Sequence, residues 1–186
     1  MRRLVITVGI AIFIVSQPSA AEDPAASFLI RLFTNVCTTN VGQPEKVRAW
    51  AQDKHLQDVT SPAATEVFVG PGDKGSAWAV PSSVGSFALS IRGTTQACAV
   101  FARTADPDDV ETYFKKLMEG VERPGIDVKV TDDTTVPSPT GARRLLAYSV
   151  SPANNPKRGF LYTLQTAEKP GGAFQASLQV AQYGSP

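Results

Sequence analysis

Two cysteines constrain this chain more than any other pair of residues, because one lies in a helix-like pattern and the other in a strand-like one. Cys37 closes an apolar series made of Phe28, Leu29, Leu32, Phe33 and Val36, whose steps keep one stripe on a 3.6-residue period. Asp23-Pro24 precedes the series and supplies a capping carboxylate followed by the residue best tolerated at the first helical position. Cys98 lies in Gln96-Ala97-Cys98-Ala99-Val100-Phe101-Ala102, where Cys98 and Val100 share one face of an extended strand. A bond between them would pin the first helix against that face of a sheet.

Whether the bond forms depends on the compartment. Residues 1–21 read as a secretory signal. Arg2 and Arg3 supply the positive end, positions 4–15 the apolar stretch, and Ser19-Ala20-Ala21 a small-residue cleavage site ahead of Glu22-Asp23. The stretch is shorter than the roughly 20 residues needed to cross a bilayer core, and no cysteine follows it to carry a lipid. Cleavage after Ala21 is therefore expected, with a periplasmic or secreted location and no stable membrane insertion afterwards. It removes two arginines and no acid, turning the formal charge of +1 into −1. In an oxidising compartment an isolated cysteine pair is most simply a disulfide. A loop of about 60 residues closed in this way is worth roughly 4 kcal/mol in the chain-entropy model.

The rest of residues 22–186 reads as a single α+β domain. A second helix is expected from Pro44, with Val47, Trp50 and Ala51 on one side, and residues 57–76 are rich in turn formers apart from Val67-Phe68-Val69. Strands are expected at residues 77–80, 86–91 and 96–102, the last two forming a hairpin around Arg92-Gly93-Thr94-Thr95. Asp106-Pro107, followed by Asp108, Asp109 and Glu111, opens the clearest helix, with Val110, Phe114, Leu117, Met118 and Val121 as its buried stripe and Gly120 or Gly125 as its end. Four strand patterns then follow: residues 126–130, 143–150, 160–166, and an alternating run in which Phe174, Ala176, Leu178 and Val180 share one face. Helices, strands, a helix and strands in that order imply an antiparallel sheet with the two N-terminal helices and the central helix packed on one face.

Composition excludes more chemistry than it suggests. With 18 basic and 17 acidic residues the chain lacks the charge of a nucleic-acid binder, and one histidine rules out sites that need two. His55 lies near a helix end with no orienting partner in view, and no Gly-x-Ser-x-Gly turn presents a nucleophile. The acidic residues from Asp106 to Glu111 suit capping, and Asp132-Asp133 sits at a strand end before a Val136-Pro137-Ser138-Pro139 loop. Neither group has the calcium-loop pattern. Gly70-Pro71-Gly72-Asp73-Lys74-Gly75-Ser76 lacks the phosphate-loop spacing and precedes a strand, so it reads as a turn. No metal or cofactor is expected. Arg143-Arg144 would place one guanidinium on each face of a strand, one of them at the sheet edge. Trp50, Trp78, Arg143 and Arg144 are the candidate surface or pocket anchors.

Several segments resemble a family of small exported bacterial proteins and lipoproteins without an assigned activity. They are Ser76-Ala77-Trp78-Ala79-Val80, Gly85-Ser86-Phe87-Ala88-Leu89, Ala97-Cys98-Ala99-Val100-Phe101-Ala102, Ala105-Asp106 with the helix through Phe114 and Leu117, the early Cys37, and Arg48-Ala49-Trp50-Ala51. The resemblance implies export and a helix-to-strand disulfide, while this chain lacks a cysteine to lipidate. The leading expectation for function is a non-enzymatic binding module for another envelope or secreted protein, such as an inhibitor or immunity protein. The alternatives are a small-ligand binder with a pocket between helices and sheet, and a hydrolase working through paired carboxylates.

Overall fold

A computed structural model describes residues 22–138 and 141–184. The expected signal segment and cleavage site lie outside the described residues, as do Pro139 and Thr140 of the expected loop. The described residues form an eight-stranded antiparallel sheet with four α-helices. Helix α1 spans Pro24–Leu32 and runs directly into a π-helical segment, Phe33–Thr38; α2 spans Pro44–Asp53. Strand β1 (Gln57–Asp58), helix α3 (Pro62–Val69) and strands β2 (Ser76–Val80), β3 (Phe87–Ile91) and β4 (Cys98–Ala102) come next. Helix α4 (Pro107–Val121) leads to β5 (Ile126–Ser138), β6 (Gly141–Pro152), β7 (Gly159–Ala167) and β8 (Ala176–Tyr183).

Spatial order in the sheet is β1-β2-β3-β4-β8-β7-β6-β5. Two meanders run toward each other and join where β4 pairs with β8, with Val100 opposite Leu178. On one sheet face Leu89, Ile91, Val100, Leu164, Leu178 and Val180 are almost fully buried beneath Leu29, Phe33, Val36, Phe114 and Met118. Alternation along each strand puts these residues on a single side, so the expected α+β class, with α1, α2 and α4 on one face, is what the protein adopts. Cys37 and Cys98 are bonded, with Cα atoms 5.3 Å apart, at the centre of that layer.

The π-helical segment sits where the bond leaves the helix. Side chains satisfy backbone groups there: Thr34 and Thr38 hydroxyls donate to the carbonyls of Ile30 and Thr34 at 2.8 and 2.6 Å, and the Asn40 amide donates to Val36 O at 2.9 Å. Such bonds compensate carbonyls that a widened turn leaves without regular partners.

The starts of α1 and α4 are joined reciprocally. The Asp23 carboxylate accepts from the amides of Ala25 and Ala26 in its own helix and, at 2.6 Å, from Asp106 N. Asp23 N in turn donates to Asp109 at 2.7 Å, while Asp106 caps α4 through the amides of Asp108 and Asp109. Both Asp-Pro pairs act as their sequence implies, and they also share partners.

Several expectations are corrected. Residues 57–76 hold β1 and α3 instead of turns alone; Pro62 is the first residue of α3 and Gly70, at φ +97°, follows its end. Helix α3 lies on the sheet face opposite the others, where Phe68 packs with Ala88, Ala99 and Phe101. Helix α4 runs through Gly120 to Val121, and Gly125, at φ +86°, turns the chain into β5. Asp132 and Asp133 do not end a strand. A bulge between Val130 and Asp132 lets β5 continue to Ser138, and Pro137 is tolerated because β5 is an edge strand. Phe174 precedes β8 and packs on Phe101, away from the face that holds Ala176, Leu178 and Val180.

Stability should depend heavily on the brace. A loop of 61 residues gives about 4 kcal/mol in the entropy model. Urea unfolding with and without reductant should show a loss of roughly 3 to 4 kcal/mol, and an unchanged midpoint would mean that the bond contributes nothing to folding.

Candidate functional site

An opening between helices and sheet lies on the helical side, where α1, the π-helical segment and the end of α2 stand over β2. Helix α2 ends in a Schellman arrangement: His55 N donates to Gln52 O at 2.9 Å and Leu56 N to Ala51 O at 3.0 Å. His55 occupies the left-handed position with φ 51°, a conformation open to a non-glycine residue at some cost. This ending folds the chain back and delivers Leu56 beside Trp50. The resulting cavity, about 390 Å³, is walled by Phe28, Leu32, Val36, Trp50, Leu56 and Val80.

Polar groups stand at its mouth. Arg31 and Lys54 line it with Asn35, and no carboxylate is among the lining residues. The Arg31 guanidinium donates to the Ser27 hydroxyl at 2.8 Å, and Lys54 pairs with Asp53 at 3.0 Å, an exposed contact of small energy. Across Val80 and Pro81 lies a second depression of about 450 Å³ that His55, Ser82 and Phe87 help to line. Phe28 and Phe87 meet with ring centroids 4.5 Å apart and form the wall between the two. An apolar body bearing a negative end matches this combination of wall and rim.

Of the predicted anchors, Trp50 is half-buried in this groove, whereas Trp78 is 6% exposed and belongs to the core. Arg144 lies on the helical face of β6. It donates from Nε to Glu111 at 3.0 Å and from Nη2 at 3.2 Å, and pairs with Asp133 through Nη1. Arg143 points to the other face, into a cavity with Gln165 and Phe174. The two guanidinium groups do divide between the faces. The expected edge position is corrected, because β6 is flanked by β5 and β7. Cys37 and Cys98 are both consumed by their bond.

Four carboxylates of the two acidic clusters have structural tasks. Asp106 caps α4, Asp109 receives the Asp23 amide, and Glu111 and Asp133 hold Arg144. The Arg144 guanidinium first of all, aided by Lys115 and opposed by burial, keeps the Glu111 carboxyl below its ordinary 4.5. Among the described residues no three His, Cys, Asp or Glu side chains cluster as metal ligands, and no helix is long and apolar enough to cross a membrane.

Sequence reasoning missed Arg31 and Phe28 as site residues, because the groove exists only once the α2 ending places Leu56 and Trp50 against α1. A half-buried Trp near a short helix end was the available signal.

No family model, curated protein or solved structure matches this chain. Of the features behind the resemblance to exported proteins, the Cys37–Cys98 bond is present. Fold and site define a small disulfide-braced α+β domain with an apolar, cation-rimmed groove.

The Glu111–Arg144 pair has a pH signature. Because the folded carboxyl titrates below its unfolded value, its stabilisation is complete above that value and vanishes as pH falls through the folded one. Glu111→Gln should cost about 1 to 2 kcal/mol at pH 7. Urea titrations repeated below pH 4 should show the gap to wild type closing, and a gap independent of pH would contradict the ion pair.

Proposed function

We propose that this chain is an exported, non-enzymatic binding module that recognises another envelope or secreted protein, in the manner of an inhibitor or immunity protein. The observation that carries this reading is the half-buried Trp50, set among Phe28, Leu32 and Leu56 beside Arg31. Tryptophan and arginine next to a desolvated pocket are the residue types that dominate protein recognition energetics. A partner would insert an apolar side chain and place a carboxylate against Arg31 or Lys54. Export rests on the pattern of residues 1–21 and is supported by the disulfide, which such a compartment preserves.

A second reading has its own support. A cavity of about 390 Å³ falls within the usual range for small-molecule sites, so a small amphipathic anion fits the same groove.

Affinity capture from envelope extract, run in parallel with wild type, Trp50→Ala and Arg31→Glu, separates the two. A protein retained by wild type and lost at least tenfold by both variants is the expected outcome. The same protein held equally by all three would move the interface elsewhere. Failure to capture any protein, with tryptophan emission shifting on titration of a medium-chain carboxylate, would give the groove to a small ligand.

A further inference from the structure

The sheet face turned away from α1, α2 and α4 carries three adjoining depressions. Helix α3 covers only the β2–β3 end of it. Over the stretch of β8 and β7 nearest Phe174 the outward side chains are hydroxyls and amides, Ser177 opposite Gln165 and Gln179 opposite Thr163, with Leu161 and Ala181 beyond them. The four polar residues line a depression of about 160 Å³ together with Arg92, Phe68 and Phe174. Two further depressions share its aromatic wall. One of about 310 Å³ includes Arg143, Gln165 and Gln175, and one of about 130 Å³ includes Phe68, Phe101 and Arg103. Phe174 borders all three, and its ring meets Phe101 at 4.9 Å, which in turn meets Phe68 at 5.1 Å.

The charges lining the three depressions of this trough are all positive. Each depression has a single arginine, and no carboxylate lines any of them. None of the three arginines makes a salt bridge with a described residue. Arg92 Nε is buried without a hydrogen-bond partner among the described residues, a state that costs free energy until a ligand acceptor arrives. Nearby, the Asp73 carboxyl is held below its ordinary range chiefly by the Thr94 hydroxyl, with the Arg92 charge as the last and smallest contribution. On the same sheet face Asp132 Oδ1, on the edge strand, is also buried without a partner among the described residues and is suited to accept from a hydroxyl.

The geometry points to an acidic oligosaccharide as the occupant of this trough. Neutral amides and hydroxyls spaced by strands about 4.8 Å apart match a chain of hydroxyl donors and acceptors. The faces and edges of the phenylalanine rings suit the apolar side of a pyranose. From Arg92 after β3 to Arg143 on β6 the strands cover roughly 20 Å, room for several sugars whose carboxylates meet the two guanidinium groups. An acidic polypeptide would satisfy the arginines but leave the row of neutral polar side chains poorly used.

Calorimetric titration of the disulfide-bonded domain tests this with four probes: an oligogalacturonate, a neutral maltooligosaccharide, a poly-glutamate of similar charge and a single-stranded oligonucleotide. Saturable binding of the oligogalacturonate at least tenfold tighter than the others is expected. That affinity should fall tenfold or more in Phe174→Ala and in Arg92→Gln, and stay unchanged in Trp50→Ala, which separates this face from the helical groove. If Phe174→Ala fails to show a cooperative thermal transition, Gln165→Ala takes its place with the same expectation. Equal binding of maltooligosaccharide overturns the acidic assignment. Equal binding of poly-glutamate or oligonucleotide, or no binding at all, overturns the saccharide assignment.

Discussion

The Cys37–Cys98 bond ties a π-helical turn to the strand at the seam of the sheet. Strand β4 pairs with β3 on one side and with β8 on the other, so together with β8 it forms the seam between the two meanders. Fixing the helical layer at this strand sets the height of Phe33 and Val36 over Val100 and Leu178, and the core closes around that contact. A small domain gains from such a cross-link because the unfolded chain loses the freedom it would otherwise recover. The two sheet faces divide accordingly: one is spent on the core, and the other is left largely free of helices beyond α3.

That division explains the character of the two surfaces. On the helical side the groove forms where a layer of helices ends, so its walls are apolar leftovers of the core, and charge enters only from the rims of α1 and α2. On the far side the middle of β7 and β8 sets Thr163, Gln165, Ser177 and Gln179 side by side, with Leu161 and Ala181 beyond them. Glu111, Arg144 and Asp133 close the helical face near β5 and β6. There charges meet their partners, whereas the arginines of the far face make no salt bridge with a described residue.

Much of the fold was legible because its signals are local. Asp23-Pro24 and Asp106-Pro107 announce helix starts, and the alternation from Ala176 to Val180 announces a strand with one buried face. The failures share a cause. Proline and glycine mark the ends of elements as well as turns, so Pro62 and Gly70 bracket a helix that reads as a loop. Pro137 argues against a strand unless that strand is known to be an edge, which depends on sheet order. Phe174 keeps the alternation of β8 in sequence but lies before the strand begins, where alternation no longer decides its side. The site residues were harder still. Trp50 and Arg143 were visible as types, but Arg31, Phe28 and Phe101 gain meaning only from neighbours far away in the chain.

The position of β8 has a consequence for how the chain reaches its native state. It comes last in sequence among the described strands, yet it lies in the middle of the sheet, between β4 and β7. A polypeptide that emerges from its N-terminal end, from a ribosome or through a narrow channel, can form each meander as it appears but has no centre until its last strand arrives. The local hairpins are quick, and the closing step joins segments nearly eighty residues apart, Val100 to Leu178. Until then β4 and β7 expose unpaired edges. Such a chain commits to its sheet only once β8 has emerged.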